Sequence, residues 1–221
     1  MIKSPFLLGV TFCVLFLMGC RSATIEVAER SSPMEVAYRH LLENWQPMDL
    51  GSARRGYNIA AVLVSPDGQV LGKELNCVIA LQDCTQHAEM RLIQKYLTKH
   101  KCFNLNGYTV YTTLEPCAMC ASTMAMTGIK HVYYGQSDPE FGKAAERLFP
   151  DTSGQGGYKP YPRSVQCELL CSPLQNALEK GFQQSGIREI TKWLASNQAN
   201  RIIREYLSSA EECSVDGRNI P

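Results

Sequence analysis

The apolar residues of this chain follow two patterns: short continuous runs typical of buried strands, and the three- to four-residue spacing typical of helices. Together the two patterns predict an α/β protein. A continuous apolar run such as 59–64 is typical of a buried strand, and the Ser-Pro-Asp-Gly turn after it predicts a hairpin. The five predicted strands are 59–64, 69–75, 108–113, 129–135 and 165–170. Helical spacing of apolar residues, every three to four positions, predicts helices between and around them.

The predicted helices begin and end at recognisable signals, such as Pro33 at the start of the first and Gly128 after the third. These helices are 33–46, 87–100, 116–126, 174–184 and 187–207. The segment 137–163 is rich in Gly and Pro and is interpreted mainly as loop. Strands joined through helices favour a three-layer α/β/α domain, which we place at residues 33–207.

Composition narrows the class of protein. The 221 residues are 45% hydrophobic and 19% charged, which excludes a disordered, collagenous or coiled-coil chain. The length allows one domain, at most two. The formal net charge of +1 gives no strong positive field of the kind that attracts nucleic acids.

The N-terminal residues predict export. Lys3 precedes an apolar run, 5–18, that is too short for a comfortable transmembrane helix but typical of a secretory signal peptide. The residues Leu17–Cys20 resemble a bacterial lipobox, which implies cleavage before Cys20 and lipidation of that cysteine. The expected location is then the periplasm or outer membrane, with the lipid as a membrane anchor. An uncleaved anchor or a wrongly assigned start codon are the alternatives.

This interpretation divides the chain into four parts. They are a signal peptide at 1–19, a tether at 20–32, the domain at 33–207 and a polar tail at 208–221. Removal of the signal peptide takes away Lys3 and leaves a chain of zero formal net charge.

Three residues form a candidate zinc site. Cys117 and Cys120 are spaced so that both thiols face one side of a helical turn, and helix N-termini favour thiolates. His87, at the start of another predicted helix, supplies a third ligand. Three protein ligands with an open fourth position are typical of catalytic rather than structural zinc.

Glu89 is the residue that indicates an enzyme active site here rather than a structural zinc site. It lies two residues after His87, in the first helical turn, where side chains lean towards the N-terminal end and can approach one point. A carboxylate next to a zinc-activated water can accept a proton and pass it on.

The combination of His87-Ala-Glu89 and Pro116-Cys-Ala-Met-Cys120 resembles the zinc-dependent cytidine and deoxycytidylate deaminase superfamily. The longer segments 113–120 and 129–135 resemble the bacterial tRNA adenosine deaminases most closely, and the resemblance covers about 60–145. It implies a cytidine deaminase-like fold with a mixed five-stranded sheet and extra flanking helices. It also implies one catalytic Zn²⁺, Glu89 as the proton shuttle and a homodimer.

The resemblance extends to four further positions with expected substrate contacts. Asn76 matches a substrate-contacting Asn of the family, and Asp138 matches an Asp near the substrate sugar. Ala60 and the Ala88 backbone are expected to line the base pocket. Alternatively, Asn76 caps a turn and Asp138, followed by Pro139, initiates one.

The loop between Asn76 and His87 departs from the tRNA enzymes because it contains no Lys or Arg. Together with the neutral charge and the predicted export, this lack of basic residues favours a small substrate, namely a nucleobase, nucleoside or nucleotide. The sequence does not indicate which base is deaminated. A nucleic-acid deaminase, including one exported as an effector, is the first alternative. An inactive deaminase-fold binding module is the second. Arg54 and Arg55 are interpreted as a solvated cluster.

Six cysteines remain after Cys13, Cys20 and the two zinc-site cysteines are set aside. They are Cys77, Cys84, Cys102, Cys167, Cys171 and Cys213. An even number in an exported protein permits disulfides, while buried free thiols are the alternative, and the sequence selects no pairing.

Overall fold

The computed structural model describes residues 31–150 and 163–215, with side chains up to residue 210. The predicted signal peptide, most of the tether and the lipidation residue Cys20 lie outside the described residues. The helices are α1 (Pro33–Glu43), α2 (Ala88–His100), α3 (Ala118–Thr127), α4 (Ala144–Leu148), α5 (Pro173–Ser185), α6 (Ile190–Trp193) and α7 (Asn197–Val215), with a 3₁₀ helix at Met48–Ala53. The strands are β1 (Ala60–Val64), β2 (Val70–Leu75), β3 (Thr109–Thr112), β4 (His131–Tyr134) and β5 (Gln166–Leu169).

The five strands form one mixed sheet in the order β2-β1-β3-β4-β5. β1 pairs antiparallel with both β2 and β3, whereas β3, β4 and β5 run parallel to one another. The register sets Ala61 opposite Thr112, and Ala60 opposite Leu75. The start of β1 and the ends of β2, β3 and β4 therefore meet at one edge of the sheet.

Helices cover both faces of the sheet, which gives the expected three layers. α1 packs against β1 and β3, and α2 packs against β1 and β2. All five residues of β1 are buried, as a central strand covered on both faces requires. α5 and α7 pack on each other, and α7 also packs on α1, so the C-terminal helices extend the α1 layer.

The structure corrects the predicted boundaries after residue 137. α4 lies inside the segment interpreted as loop, where the short run Ala144–Leu148 packs on α3. The single helix predicted at 187–207 is two helices, α6 and α7, separated at residues 194–196. α7 continues to Val215, so the first eight residues of the predicted polar tail are helical.

The break between α6 and α7 anchors the C-terminal helices to the first half of the chain. Trp193 is fully buried, and α5 passes so close that the position of Gly181 leaves no room for a side chain against the Trp193 ring. The Leu194 carbonyl accepts hydrogen bonds from Trp45 Nε1 (3.3 Å) and Asn58 Nδ2 (3.4 Å). Among the described residues, no helix combines the length and apolar character needed to span a membrane.

Candidate zinc site and substrate cavity

The predicted site residues are brought together at the edge of the sheet where four strand ends meet. Asn76 follows β2, Thr112 ends β3 and leads into the loop before α3, and Asp138 follows β4. His87 and Cys117 are the N-cap residues of α2 and α3, and neither helix has a side-chain cap hydrogen bond. Both helix N-termini therefore point at the same place.

The three predicted zinc ligands form a triangle. His87 Nδ1 lies 3.6 Å from the Sγ atoms of both Cys117 and Cys120, and the two sulfurs are 3.8 Å apart. Tetrahedral zinc with ordinary Zn–S and Zn–N bond lengths requires S···N separations of about 3.6 Å and an S···S separation of about 3.8 Å. The geometry thus fits a zinc ion held by these three atoms. Among the described residues, the three side chains form a group that could hold a metal ion.

The ionisation of the three groups fits the same interpretation. The hydrogen bond with Cys120 lowers the pKa of the Cys117 thiol to about 4, and the same contact, together with burial, raises the pKa of Cys120. The contact with Cys117 raises the pKa of His87. Thiolate is the form of cysteine that binds zinc, so a bound divalent cation would displace the protons of both thiols.

Glu89 lies beside this triangle, where its carboxylate is held from two sides. Glu89 Oε1 accepts a hydrogen bond of 2.9 Å from Thr112 Oγ1, and Oε2 lies 3.6 Å from Cys120 Sγ. Only 4% of the residue is exposed, and burial raises the pKa of the carboxyl group. A buried carboxyl group with a raised pKa is suited to take up and release a proton. Sequence reasoning found Glu89 but missed Thr112, which carries no motif signal.

A cavity of about 680 Å³ opens onto His87, Glu89 and Cys117. This volume lies in the range of small-molecule binding sites. Part of its wall comes from the C-terminal segment, through Glu189, Ile190 and Thr191, which the sequence analysis did not connect with the site.

Asn76 lines the cavity and is fully buried. Its Oδ1 accepts backbone N–H bonds from Tyr57 (3.1 Å) and Val78 (3.3 Å), whereas its Nδ2 has no partner among the described residues. A buried donor left unpaired in a cavity wall is costly unless a ligand acceptor meets it. The turn-capping role is therefore seen at Oδ1, whereas a contact between Nδ2 and substrate stays a prediction.

Arg55 supports Asn76 from behind, which corrects the interpretation of Arg54 and Arg55 as a solvated cluster. Arg54 is buried, and Arg55 Nε donates a 2.9 Å hydrogen bond to the Asn76 carbonyl oxygen. Gly56 passes so close to Asn76 that a side chain at this position would overlap with its Oδ1. No charge or spacing pattern distinguished these residues in the sequence.

Asp138 also lines the cavity, at the start of the loop after β4. Its Oδ1 accepts the backbone N–H groups of Glu140 (2.9 Å) and Phe141 (3.0 Å), as expected of a turn-forming Asp. Glu115, which sequence reasoning missed, clamps the same loop: its two carboxylate oxygens accept the N–H groups of Asp138 (3.0 Å) and Lys143 (2.8 Å).

Ala60 and Ala88 are fully buried at the start of β1 and of α2. The described cavity wall includes their neighbours Ile59 and His87 but not these two residues. Their contact with substrate stays a prediction.

The described cysteines outside the zinc site are free thiols, and no disulfide joins any of them. Cys213 lies among the residues whose side chains are not described. Cys84 is exposed and lines the cavity, while burial raises the pKa of Cys167 to about 12.

Residues 39–136 match the family model described as the cytidine and deoxycytidylate deaminase zinc-binding region. The tRNA-specific adenosine deaminase of Streptococcus pyogenes serotype M3 is 30% identical over 145 residues, which are 64% of this chain and 81% of that protein. The tRNA-specific adenosine deaminase of Agrobacterium fabrum is 40% identical over 84 residues, or 38% of this chain and 55% of that protein. The chain thus spans little more than half the length of this second relative.

Solved structures of similar proteins include one from studies of A-to-I editing by tRNA:A34 deaminases, with 28% identity and a TM-score of 0.45, covering 62% of this chain and 93% of that one. Guanine deaminase from Bacillus subtilis has 23% identity and a TM-score of 0.43, and the match covers 61% of this chain and 84% of that one. Together, the family match over the zinc ligands and the relatives' identities confirm the resemblance seen in the motifs. The chain belongs to the zinc-dependent cytidine and deoxycytidylate deaminase family, in a branch shared with the tRNA-specific adenosine deaminases.

Proposed function

We propose that this protein is a zinc-dependent hydrolytic deaminase that releases ammonia from the exocyclic amine of a nucleobase. The observation that carries the proposal is the position of Glu89: a buried carboxylate, held by Thr112, beside three atoms spaced for tetrahedral zinc. A structural zinc site has no use for such a carboxylate, and an inactive binding module would not need to keep it.

The reaction replaces a C–NH₂ bond of the base by C=O, consuming one water and releasing one ammonia. Bound zinc would supply the Lewis acid that activates the water. Glu89 accepts a proton from that water and delivers it to the ring nitrogen. It then takes the proton of the hydroxyl group added to the ring carbon and delivers it to the departing amine. Thr112 keeps Oε1 of Glu89 in place while the carboxylate carries these protons.

Asn76 and the apolar walls place the base for this chemistry. The unpaired Nδ2 of Asn76 is a donor for an acceptor atom of the base, and its Oδ1 is fixed by two backbone N–H groups. The side chain therefore cannot rotate to offer the wrong atom. Ile59 and Leu114 provide apolar contacts in the same cavity.

The test is ammonia release by the zinc-loaded full chain from nucleobases, nucleosides, nucleotides and RNA. Glu89→Gln should abolish release while the zinc content stays at one per chain, because it removes the proton acceptor but no ligand. Glu205→Gln, at an exposed position of α7, is the matched control and should retain full release. Undiminished release by the Glu89 variant would refute the assigned role.

RNA is the second candidate substrate, because the relatives at 30% and 40% identity are named tRNA-specific adenosine deaminases. The test is inosine formation in a tRNA mixture, read by nuclease digestion and mass spectrometry. Inosine confined to one tRNA position, with no ammonia released from small compounds, would establish this alternative.

Export and assembly complete the proposal. We propose that Cys20 is lipidated and anchors the chain at a bacterial membrane, because the basic start, apolar run and Leu17–Cys20 have the required order. Radiolabelled palmitate should label the wild type and not Cys20→Ala, and unlabelled wild type would overturn the anchor. The homodimer rests on the family resemblance, and light scattering tests it.

A further inference from the structure

We propose that Glu140 and Glu189 form an acidic outer wall of the cavity that selects unphosphorylated bases or nucleosides against nucleotides and RNA. The inference rests on the proposed function, since it names the substrate class of the same site. It assigns specificity to two residues that neither bind zinc nor take part in proton transfer.

Apart from His87, the charged side chains that line the cavity are all acidic. Five carboxylates line it, and no Lys or Arg does so among the residues that the structure describes. These carboxylates belong to Glu89, Glu115, Asp138, Glu140 and Glu189. Sites that bind phosphate groups present the opposite pattern, with Arg, Lys or free helix N-termini facing the anion.

Three of the five carboxylates are buried and accept hydrogen bonds from within the protein. Glu89 accepts a hydrogen bond from Thr112, and Glu115 and Asp138 accept backbone N–H groups of the loop after β4. Glu140 and Glu189 are different, because both are exposed to solvent and face whatever enters the cavity. They therefore set the charge that an incoming substrate meets first.

The cations near this wall do not offset its charge in the cavity. Glu189 pairs with Lys192 at 2.5 Å, but both side chains are about half exposed, so solvent weakens the pair. Lys192 lines a separate depression with Pro47 and Ile187 rather than the cavity. Lys143 donates its backbone N–H to Glu115 and does not line the cavity.

The helix N-termini at the site are not free to hold a phosphate either. α2 and α3 begin with His87 and Cys117 as N-cap residues, which are zinc ligands in the proposed function. The inner cavity instead offers apolar walls and the unpaired Nδ2 of Asn76, which suit a neutral base. The chemistry of the whole cavity therefore matches a base or nucleoside without phosphate.

Both wall residues lie outside the segment that matches the family model. That segment ends at residue 136, whereas Glu140 belongs to the loop after β4 and Glu189 is the N-cap of α6. The C-terminal helices, anchored through Trp193 and Leu194, thus carry a specificity element to a site whose chemistry lies within residues 39–136. We infer that substrate selection in this chain is separate from its catalytic motif.

The experiment measures binding, so that it does not depend on turnover. Zinc-loaded full chain carrying Glu89→Gln is titrated calorimetrically with adenosine, guanosine and cytidine, with their 5′-monophosphates, and with a short RNA hairpin. We expect the nucleoside that binds best to bind at least tenfold more tightly than its monophosphate, because like charges repel within one Debye length. The ratio should shrink as salt concentration rises.

The double variant Glu140→Gln/Glu189→Gln should lower this ratio of dissociation constants roughly tenfold, by about three- to fourfold for each charge removed. Glu205→Gln, at an exposed position of α7 outside the cavity wall, should leave the ratio unchanged. The inference is overturned if the Glu89→Gln chain, with Glu140 and Glu189 in place, binds a monophosphate or the hairpin as tightly as the nucleoside, or if the added double variant does not alter the ratio. Failure of the proposed function would look different: base binding with the expected ratio, but no ammonia from any compound with Glu89 intact.

Discussion

Thr112 Oγ1 donates a 2.9 Å hydrogen bond to Glu89 Oε1, and this bond joins the last residue of β3 to the first turn of α2. Both residues are buried, so water does not compete for the carboxylate. The bond leaves Oε2 facing the Cys120 sulfur, 3.6 Å away. The sheet thereby fixes the direction in which the proposed proton shuttle points.

Replacing Thr112 by Val keeps the shape of the side chain but removes the donor. We expect kcat for ammonia release to fall about 10- to 100-fold, as is typical when a group that orients a metal-site residue is lost. KM and zinc content should change little, because Thr112 touches neither the cavity nor a ligand atom. Steady-state kinetics and metal analysis measure these effects.

Thr112→Ser is the matched control, since it restores the hydroxyl and loses only a methyl group. It should recover most of the activity that Thr112→Val loses. Equal losses in the two variants would show that packing at Thr112, rather than its hydrogen bond, supports the site.

Cys117→Ser should abolish tight zinc binding. Serine keeps the size of the side chain, but the thiolate that zinc prefers is gone, and two protein ligands remain. Metal analysis after gel filtration should fall from about one zinc per chain to below about 0.1, and zinc should no longer raise the melting temperature. Cys171→Ser, at an exposed thiol outside the site, should retain full zinc content.

The catalytic motif and the central elements could be predicted from sequence because they depend on local signals. His87, Glu89, Cys117 and Cys120 lie at helix starts with diagnostic spacing, and each of the five strands lies within a segment predicted as a strand. The short helix α4 was missed because its run of five residues sits in a segment rich in Gly and Pro. The break before α7 was missed because residues 187–207 have helical periodicity throughout.

The supporting residues could not be predicted because their roles depend on which chain segments meet. Thr112 is one of two threonines in its strand, and only the position of β3 beside α2 turns its hydroxyl to Glu89. Arg55 looked like part of an exposed basic pair until the fold brought it against the Asn76 carbonyl. Glu189 is more than 50 residues from the zinc ligands in sequence, so no spacing rule connects it with the cavity.

Glu115→Gln should loosen the loop that carries Asp138. The two oxygens of Glu115 accept one backbone N–H each, from Asp138 and Lys143, whereas an amide offers one acceptor and turns a donor towards the other N–H. We expect a loss of about 1–3 kcal/mol in the free energy of unfolding, the usual cost of an unsatisfied buried group. Urea titration measures it, and Glu205→Gln should shift the midpoint far less.

Gly56→Ala should damage substrate binding while leaving zinc in place. An alanine Cβ would lie 2.7 Å from the Asn76 carbonyl oxygen and closer still to Oδ1, so Asn76 must move. We expect kcat/KM to fall about 10- to 100-fold, mainly through KM, because a displaced donor no longer meets the base. Gly72→Ala, on β2 and outside the cavity wall, is the control: its added Cβ would meet only the end of the Leu92 side chain, at 3.2 Å, and KM should be kept. An unchanged KM in Gly56→Ala would argue against Asn76 as a substrate contact.

Asp83 provides a pH-dependent test of the segment that leads into His87. Its carboxylate accepts hydrogen bonds from the Thr85 backbone N–H (2.8 Å), the Thr85 hydroxyl (2.7 Å) and Gln86 Nε2 (2.8 Å), and these bonds lower its pKa. Because the folded pKa lies below the unfolded value, the stabilisation is complete above about pH 4 and is lost as the pH falls through the folded pKa.

Asp83→Asn cannot accept the bond from Gln86 at its nitrogen, so it should lower the melting temperature by a few degrees at pH 7. As the pH falls below about 4 and through the folded pKa of Asp83, the two proteins should converge, because the wild-type carboxylate becomes protonated and loses the same bonds. Thermal unfolding in the presence of a chelator measures the difference, because both proteins are then metal-free at every pH. A difference that stayed constant down to pH 3 would mean that the charge of Asp83 does not hold this segment, and that Asn at this position acts through packing alone.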